Sequence, residues 1–186
     1  MIEIKFIGRG GQGGKTAAYL AAEAAFQGGK DVQAFPEFGP EREGAPVFAY
    51  TRISDSPIKL HSGITHPDIV VVIDESLVFE LDVCRGLKEG GILILNTKEP
   101  TEEMLKRVAK QCQVFYVDAS GIALQLLGKN IPNTPMLGAL SKVTGVFTLK
   151  QLAKVFQEEF GKKLNPELIK KNLKAMERAF NEVKRA

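Results

Sequence analysis

Gly8-Arg9-Gly10-Gly11-Gln12-Gly13-Gly14-Lys15-Thr16 stands between an apolar run, residues 2–7, and an alanine-rich run, residues 16–26. Together these predict a strand, a tight glycine turn and a helix. Gly8, Gly10 and Gly13 fit Gly-x-Gly-x-x-Gly, a spacing that lets the backbone turn sharply and lets a ligand or another chain approach closely. The following helix directs unpaired N–H groups and a partial positive charge at whatever lies above the turn. Ala17, Ala18, Ala21, Ala22 and Ala25 are small enough to let that helix pack closely on a sheet.

Three readings compete at this turn. In the first, the glycines serve only a tight turn and close packing. The second is a dinucleotide site, which wants an acidic residue about 20 residues further on, at the end of the second strand. Glu37 stands near that place. The third is a P-loop, Gly-x-x-x-x-Gly-Lys-Ser/Thr. Gly14-Lys15-Thr16 supplies its end, but Arg9 occupies the position of the first glycine and Gly8 is one residue too far away.

Composition narrows the function classes. A chain of 186 residues with 44% apolar content is large enough for one globular domain with a sizeable core. A net charge of +3, with Trp absent and no interleaving of aromatic and basic residues, argues against a nucleic-acid partner. No apolar run approaches the roughly 20 residues of a membrane span. The chain opens almost at once on a strand, so a cytoplasmic location without a signal peptide is expected. Cys84 and Cys112 lie far apart in sequence, with no Cys-x-x-Cys, and read as two buried free thiols unable to hold a cluster or a structural zinc unaided. His61 and His66 sit in a loop without carboxylate or cysteine companions, and no metal site is expected there.

Along the rest of the chain, strands are predicted at 31–35, 47–53, 68–74, 92–95 and 114–117, with 58–60 a candidate hairpin return. Helices are predicted at 77–87, 102–110 and 119–127, then a small-residue helix beyond Pro132 and Pro135. Thr148 and Gln151 have the spacing of a capping box for a helix through Phe160. Asn165 and Pro166 open a last helix as cap and first residue, with Leu168, Ile169, Leu173, Met176, Phe180 and Val183 on one face and basic residues opposite. The β-branched run from Asp68 to Asp74 reads as a parallel strand buried on both faces. Polar residues close three successive strands, Asp74, Asn96 and Asp118. They are placed either for a ligand at the carboxyl ends of the sheet or as caps of the following helices. The alternation implies α/β architecture: a single Rossmann-like domain over residues 1–186, a mainly parallel sheet flanked by helices, and C-terminal helices.

Residues 35–46, Phe-Pro-Glu-Phe-Gly-Pro-Glu-Arg-Glu-Gly-Ala-Pro, hold three prolines, two phenylalanines and four charges. Proline excludes a helix or central strand here, and the aromatics predict a loop packed on its own domain or on a partner. Arg42 is suited to a bidentate contact with a carboxylate or phosphate.

This loop, from Gln33 to Val47, resembles the gamma subunit of pyruvate:ferredoxin oxidoreductase, in the 2-oxoacid:ferredoxin oxidoreductase family. So do Gly8-Arg9-Gly10-Gly11-Gln12-Gly13 with Thr16-Ala17-Ala18, Arg52-Ile53-Ser54, Pro67-Asp68, and Asn133-Thr134-Pro135-Met136-Leu137-Gly138-Ala139. Glu43 stands where the family often has arginine. The resemblance implies an enzyme that cleaves pyruvate with coenzyme A to acetyl-CoA and carbon dioxide and passes electrons to ferredoxin. Thiamine diphosphate, Mg2+ and [4Fe-4S] clusters would belong to partner subunits of alpha, beta and delta type. This chain would bind no cofactor of its own and supply no catalytic residue, with ferredoxin an indirect partner. It would support assembly and help form the region that coenzyme A approaches, Gly8, Arg9, Gly10, Gly11, Gln12 and Gly13 meeting coenzyme A or a partner's backbone. Glu37, Glu41, Arg42 and Asn133 would face a partner or substrate. The rival readings are an NAD-dependent dehydrogenase, a gamma subunit serving a different 2-oxoacid, and a pure scaffold subunit.

Overall fold

The computed structural model describes residues 1–37, 44–108 and 112–186. In chain order the elements are β1 (Ile2–Arg9), α1 (Gly14–Phe26), β2 (Asp31–Pro36), β3 (Pro46–Ser54), β4 (Ile69–Val72), α2 (Leu77–Glu80) and β5 (Ile92–Asn96). They continue with α3 (Glu102–Val108), β6 (Gln113–Val117), α4 (Ala119–Leu127), α5 (Asn133–Thr144), α6 (Leu149–Phe160), α7 (Pro166–Glu182) and β7 (Lys184–Arg185). The strands form one mixed sheet in the order β2-β3-β1-β4-β5-β6-β7. Its centre, β1-β4-β5-β6, is parallel, and both margins are antiparallel.

Side-chain alternation explains why the central strands carry apolar residues toward both faces, and why β4 is apolar throughout. Ile4 and Phe6, Ile69 and Val71, Ile94, and Val117 face the layer of α1, α4, α5, α6 and α7. Ile7, Val70 and Val72, Leu93 and Leu95, and Val114 face the layer of α2 and α3. A strand covered on both sides has no solvent face, so period-2 patterning gives way to a continuous run. On the first layer α5 is buried along most of its length, and Gly138 permits this. A Cβ there would lie 2.0 Å from the Met176 carbonyl oxygen of α7.

The helix starts read from sequence are present. Thr148 and Gln151 form a reciprocal capping box, and Asn165 caps α7 ahead of Pro166. Three local expectations differ. The helix expected over 77–87 stops at Glu80, with Leu81 extended at φ −130°, ψ 154°. A continuous helix would point Val83 away from Leu77 and Val78. The extended residue re-phases the chain, and all three reach one core. The segment 58–60 joins no ladder. It is held by side chains instead: Asp31 accepts from the Ile58 N–H at 2.5 Å, and Gln33 donates to the Leu60 carbonyl at 3.0 Å. Finally, Lys184 and Arg185 leave the last helix and pair with Tyr116 and Phe115 as a short edge strand. Two basic side chains there discourage further strand addition.

Candidate functional site

The turn after β1 is built as its glycines require. Gly11 and Gly13 adopt φ of +92° and +79°, and Gly13 is the left-handed cap of α1. A side chain at Gly13 would be strained and would also collide, its Cβ falling 2.4 Å from Asn133 Nδ2. No side chain caps α1, so its opening N–H groups face outward along the helix axis. The turn borders an open cleft of about 560 Å3, lined among the described residues by Arg9, Lys15, Pro36, Glu37 and Phe48 together with the glycines. That surface joins a helix N-terminus to an ammonium and suits an anionic group.

A polar latch holds the turn. Gln12 Oε1 accepts from the Arg9 N–H at 2.8 Å, and Gln12 Nε2 donates to the Asp74 carboxylate at the end of β4. Arg9 reaches the Gly44 carbonyl at 3.0 Å and Ser76 Oγ at 2.6 Å, pairs with Glu80, and places Nε 3.4 Å from Asp74. Arg9 and Gln12 are therefore occupied within the chain. Asn133, the first residue of α5, lies beneath the turn at 6% exposure, its Nδ2 donating to the Gly13 carbonyl at 3.4 Å. Glu37 lines the cleft and accepts from the Tyr50 hydroxyl at 2.6 Å. Burial, and then that carboxylate, push the Tyr50 hydroxyl well above the ordinary tyrosine range, so it stays a neutral donor. Glu41 and Arg42 lie outside the described residues, as does half of the proline-rich stretch 35–46.

The three strand-end residues separate. Asp118 caps α4, accepting from the Gly121 N–H at 2.7 Å. Asn96 ties the sheet end together, donating to the Ile73 carbonyl and accepting from the Ser120 N–H at 3.0 Å. Asp74 belongs to the latch. Burial raises its carboxyl, but hydrogen bonds from Ser76 and Gln12, with Arg9 nearby, outweigh this and hold it below its ordinary value of 3.8. A depressed carboxylate contributes stability above its unfolded pKa, and the contribution is lost as pH falls through the folded value. Asp74→Asn is therefore expected to cost about 1–3 kcal/mol in urea unfolding at neutral pH. The gap to the natural protein should close below the ordinary aspartate range. Equal stability of the two at neutral pH would show that the latch contributes nothing.

The dinucleotide geometry is interrupted. In that motif the acidic residue ends the strand beside β1. Here antiparallel β3 lies between β1 and β2, so Glu37 stands two strands away and is already bonded to Tyr50.

Residues 3–182 match the family described as pyruvate ferredoxin/flavodoxin oxidoreductase. The chain belongs to that family. Among relatives of this oxidoreductase family, the pyruvate/ketoisovalerate oxidoreductases common subunit gamma of Thermococcus kodakarensis is 52% identical, covering 97% of this chain and 96% of its own. The pyruvate synthase subunit PorC of Methanothermobacter thermautotrophicus is 46% identical, covering 100% and 97%. The crystal structure of pyruvate oxidoreductase subunit PORC from Thermotoga maritima superimposes with a TM-score of 0.88 at 43% identity, covering 100% of this chain and 98% of that one.

Within this family member, sequence reading missed Lys15 as a cleft residue and Ser76 and Glu80 as latch partners. Gly14-Lys15-Thr16 had drawn attention only as a failed P-loop. The latch joins positions more than sixty residues apart, as the Gln12–Asp74 and Arg9–Glu80 pairs show. Only the parallel pairing of β1 with β4 brings them together.

Proposed function

We propose that this chain is the gamma-type subunit of a pyruvate:ferredoxin oxidoreductase, and that its task is assembly and the reception of coenzyme A. The observation that carries the reading is end-to-end similarity to gamma and PorC subunits. The conversion is pyruvate, coenzyme A and oxidised ferredoxin to acetyl-CoA, carbon dioxide and reduced ferredoxin. Thiamine diphosphate with Mg2+ supplies the electron sink and iron–sulfur clusters relay single electrons, all in partner subunits of alpha, beta and delta type. Two cysteines fall short of the four thiolates that such a cluster takes.

The chain's own residues bind and orient. Backbone N–H groups of the turn and the first turn of α1 donate to a phosphate oxygen of coenzyme A, with the Lys15 ammonium beside them. Arg9, Gln12 and Asp74 keep the turn in its binding shape, and Asn133 supports it from below. Glu37 lines the cleft and faces the partner or substrate, and Glu41 and Arg42, further along the same stretch of sequence, are assigned to that contact as well. A relative that is a common subunit of pyruvate and ketoisovalerate oxidoreductases supports a role remote from the 2-oxoacid itself, because a shared chain cannot discriminate the two acids. The protein acts in the cytoplasm, in keeping with low-potential electron transfer to a soluble carrier.

Anaerobic purification of the native complex through a tag on this chain tests the reading. Partner subunits bearing clusters are expected, with ferredoxin reduction that requires both pyruvate and coenzyme A. The separated chain should turn over nothing, even with thiamine diphosphate, coenzyme A and ferredoxin supplied. Activity from the single chain, or a complex indifferent to pyruvate, would overturn the assignment.

A further inference from the structure

Cys84 and Cys112, distant in sequence and expected as separate buried thiols, are neighbours. Cys84 lies in the turns after α2, and Cys112 just before β6. Both are only half-buried. Their sulfurs donate to the same acceptor, the Val108 carbonyl at the end of α3, at 3.7 Å and 3.1 Å. The shared acceptor thus sets the two sulfurs around one carbonyl oxygen. Neither sits in a regular element, so the backbone at both can adjust toward disulfide geometry without breaking a strand ladder. An open cleft of about 440 Å3 runs beside them, bordered by Val83, Val108, Lys106 and Arg107.

We propose that Cys84 and Cys112 are a dithiol modification site that forms a reversible intrachain disulfide by exchange with a low-molecular-weight disulfide. The Cys112 thiolate attacks one sulfur of the small disulfide, breaking its S–S bond and releasing one small thiolate. Cys84 loses its proton to solvent and attacks the Cys112 sulfur of the mixed disulfide, releasing the second. Two protein thiols are oxidised, the small disulfide is reduced to two thiols, and electrons balance. The neighbouring Cys84 thiol, against the opposing effect of burial, lowers the Cys112 thiol below its ordinary value, which favours Cys112 as the first nucleophile. Cys84, raised by the neighbouring Cys112 and by burial, is the resolving partner. The bond would staple the turn after α2 to the connection between α3 and β6, tightening the cover over one face of the sheet.

The test is disulfide mapping of the full-length chain, purified anaerobically and equilibrated with excess oxidised glutathione. A Cys84–Cys112 cross-linked peptide that dithiothreitol removes is the expected product. In Cys84→Ala and Cys112→Ala the lone remaining thiol should instead retain glutathione as a stable mixed disulfide. The oxidised natural chain should also melt about 5 °C or more above the reduced one, because the cross-link restricts the unfolded state. Because the natural chain is mapped directly, the result does not depend on either variant folding. Stable glutathione on the natural chain without the cross-link, cross-links between separate chains, or two thiols still free at equilibrium would each overturn the proposal.

Discussion

Gly13→Val is expected to raise the apparent KM for coenzyme A about tenfold or more in the assembled complex, a loss of about 1.4 kcal/mol of binding for each factor of ten. The half-reaction with pyruvate alone should suffer much less. Two effects combine at this position. A β-branched residue is held at φ +79°, which costs about 1–2 kcal/mol or more. Its Cβ also falls 2.4 Å from Asn133 Nδ2, so either the turn or the start of α5 must move. Movement of the turn displaces the opening N–H groups of α1, which are the proposed anion donors. Gly11→Ala separates strain from collision, because Gly11 has φ +92° but nothing within 4 Å of a built Cβ. It should raise the same constant by a smaller factor. A folded Gly13→Val complex with unchanged dependence on coenzyme A would leave the turn a packing device only.

Arg52→Met should cost about 3–5 kcal/mol of folding stability, the range for breaking a buried ion pair by removing one partner. Set against a typical total of about 5–15 kcal/mol, such a loss leaves little reserve. Arg52 is 1% exposed. Its Nε bonds Glu3 at 2.8 Å, one Nη reaches Gln33 at 3.2 Å, and the other serves the carbonyls of Ser62 and Gly63 at 2.7 and 3.2 Å. The ring of Phe35 lies 5.6 Å away. One planar fork thus joins β1, β2, β3 and the loop through 62–63. Methionine fills similar volume but strands the Glu3 carboxylate and two carbonyls. Urea unfolding measures the loss, and hydrogen exchange should show faster opening around 62–63. Adding Glu3→Gln to Arg52→Met should recover part of the stability, because it removes the stranded charge. Arg52→Lys should fall between, since one ammonium cannot span the fork. A loss below about 1 kcal/mol for Arg52→Met would show that the hub is dispensable.

Much of the fold was legible in local patterns. The run from Asp68 to Asp74 announced a strand covered on both faces. Thr148 with Gln151, and Asn165 with Pro166, announced helix starts, since a cap needs only residues three or four positions apart. The glycine turn announced its own backbone, because φ above zero selects glycine at short range. Those features rest on interactions within one element, and residue order alone specifies them. Asp118 as a cap belongs to the same class.

Tertiary structure decided the rest. Only pairing between distant segments inserts β3 between β1 and β2, and that insertion moves Glu37 away from a dinucleotide geometry. Only the demand of one shared core stops α2 at Glu80 so that Val83 can turn inward. Asp74 had the spacing of a cap and became a latch on Gln12 and Arg9, because parallel pairing set the end of β4 beside the end of β1. Arg52 looked like one landmark among several until four segments were seen to meet at its guanidinium. Cys84 and Cys112 carried no spacing signal at all, and the packing of α3 against the turns after α2 made them a pair. Local energetics act over one turn of helix or one pair of strands. The latch, the arginine hub and the dithiol depend on which elements are neighbours, and the burial of two apolar faces determines that for the whole chain at once.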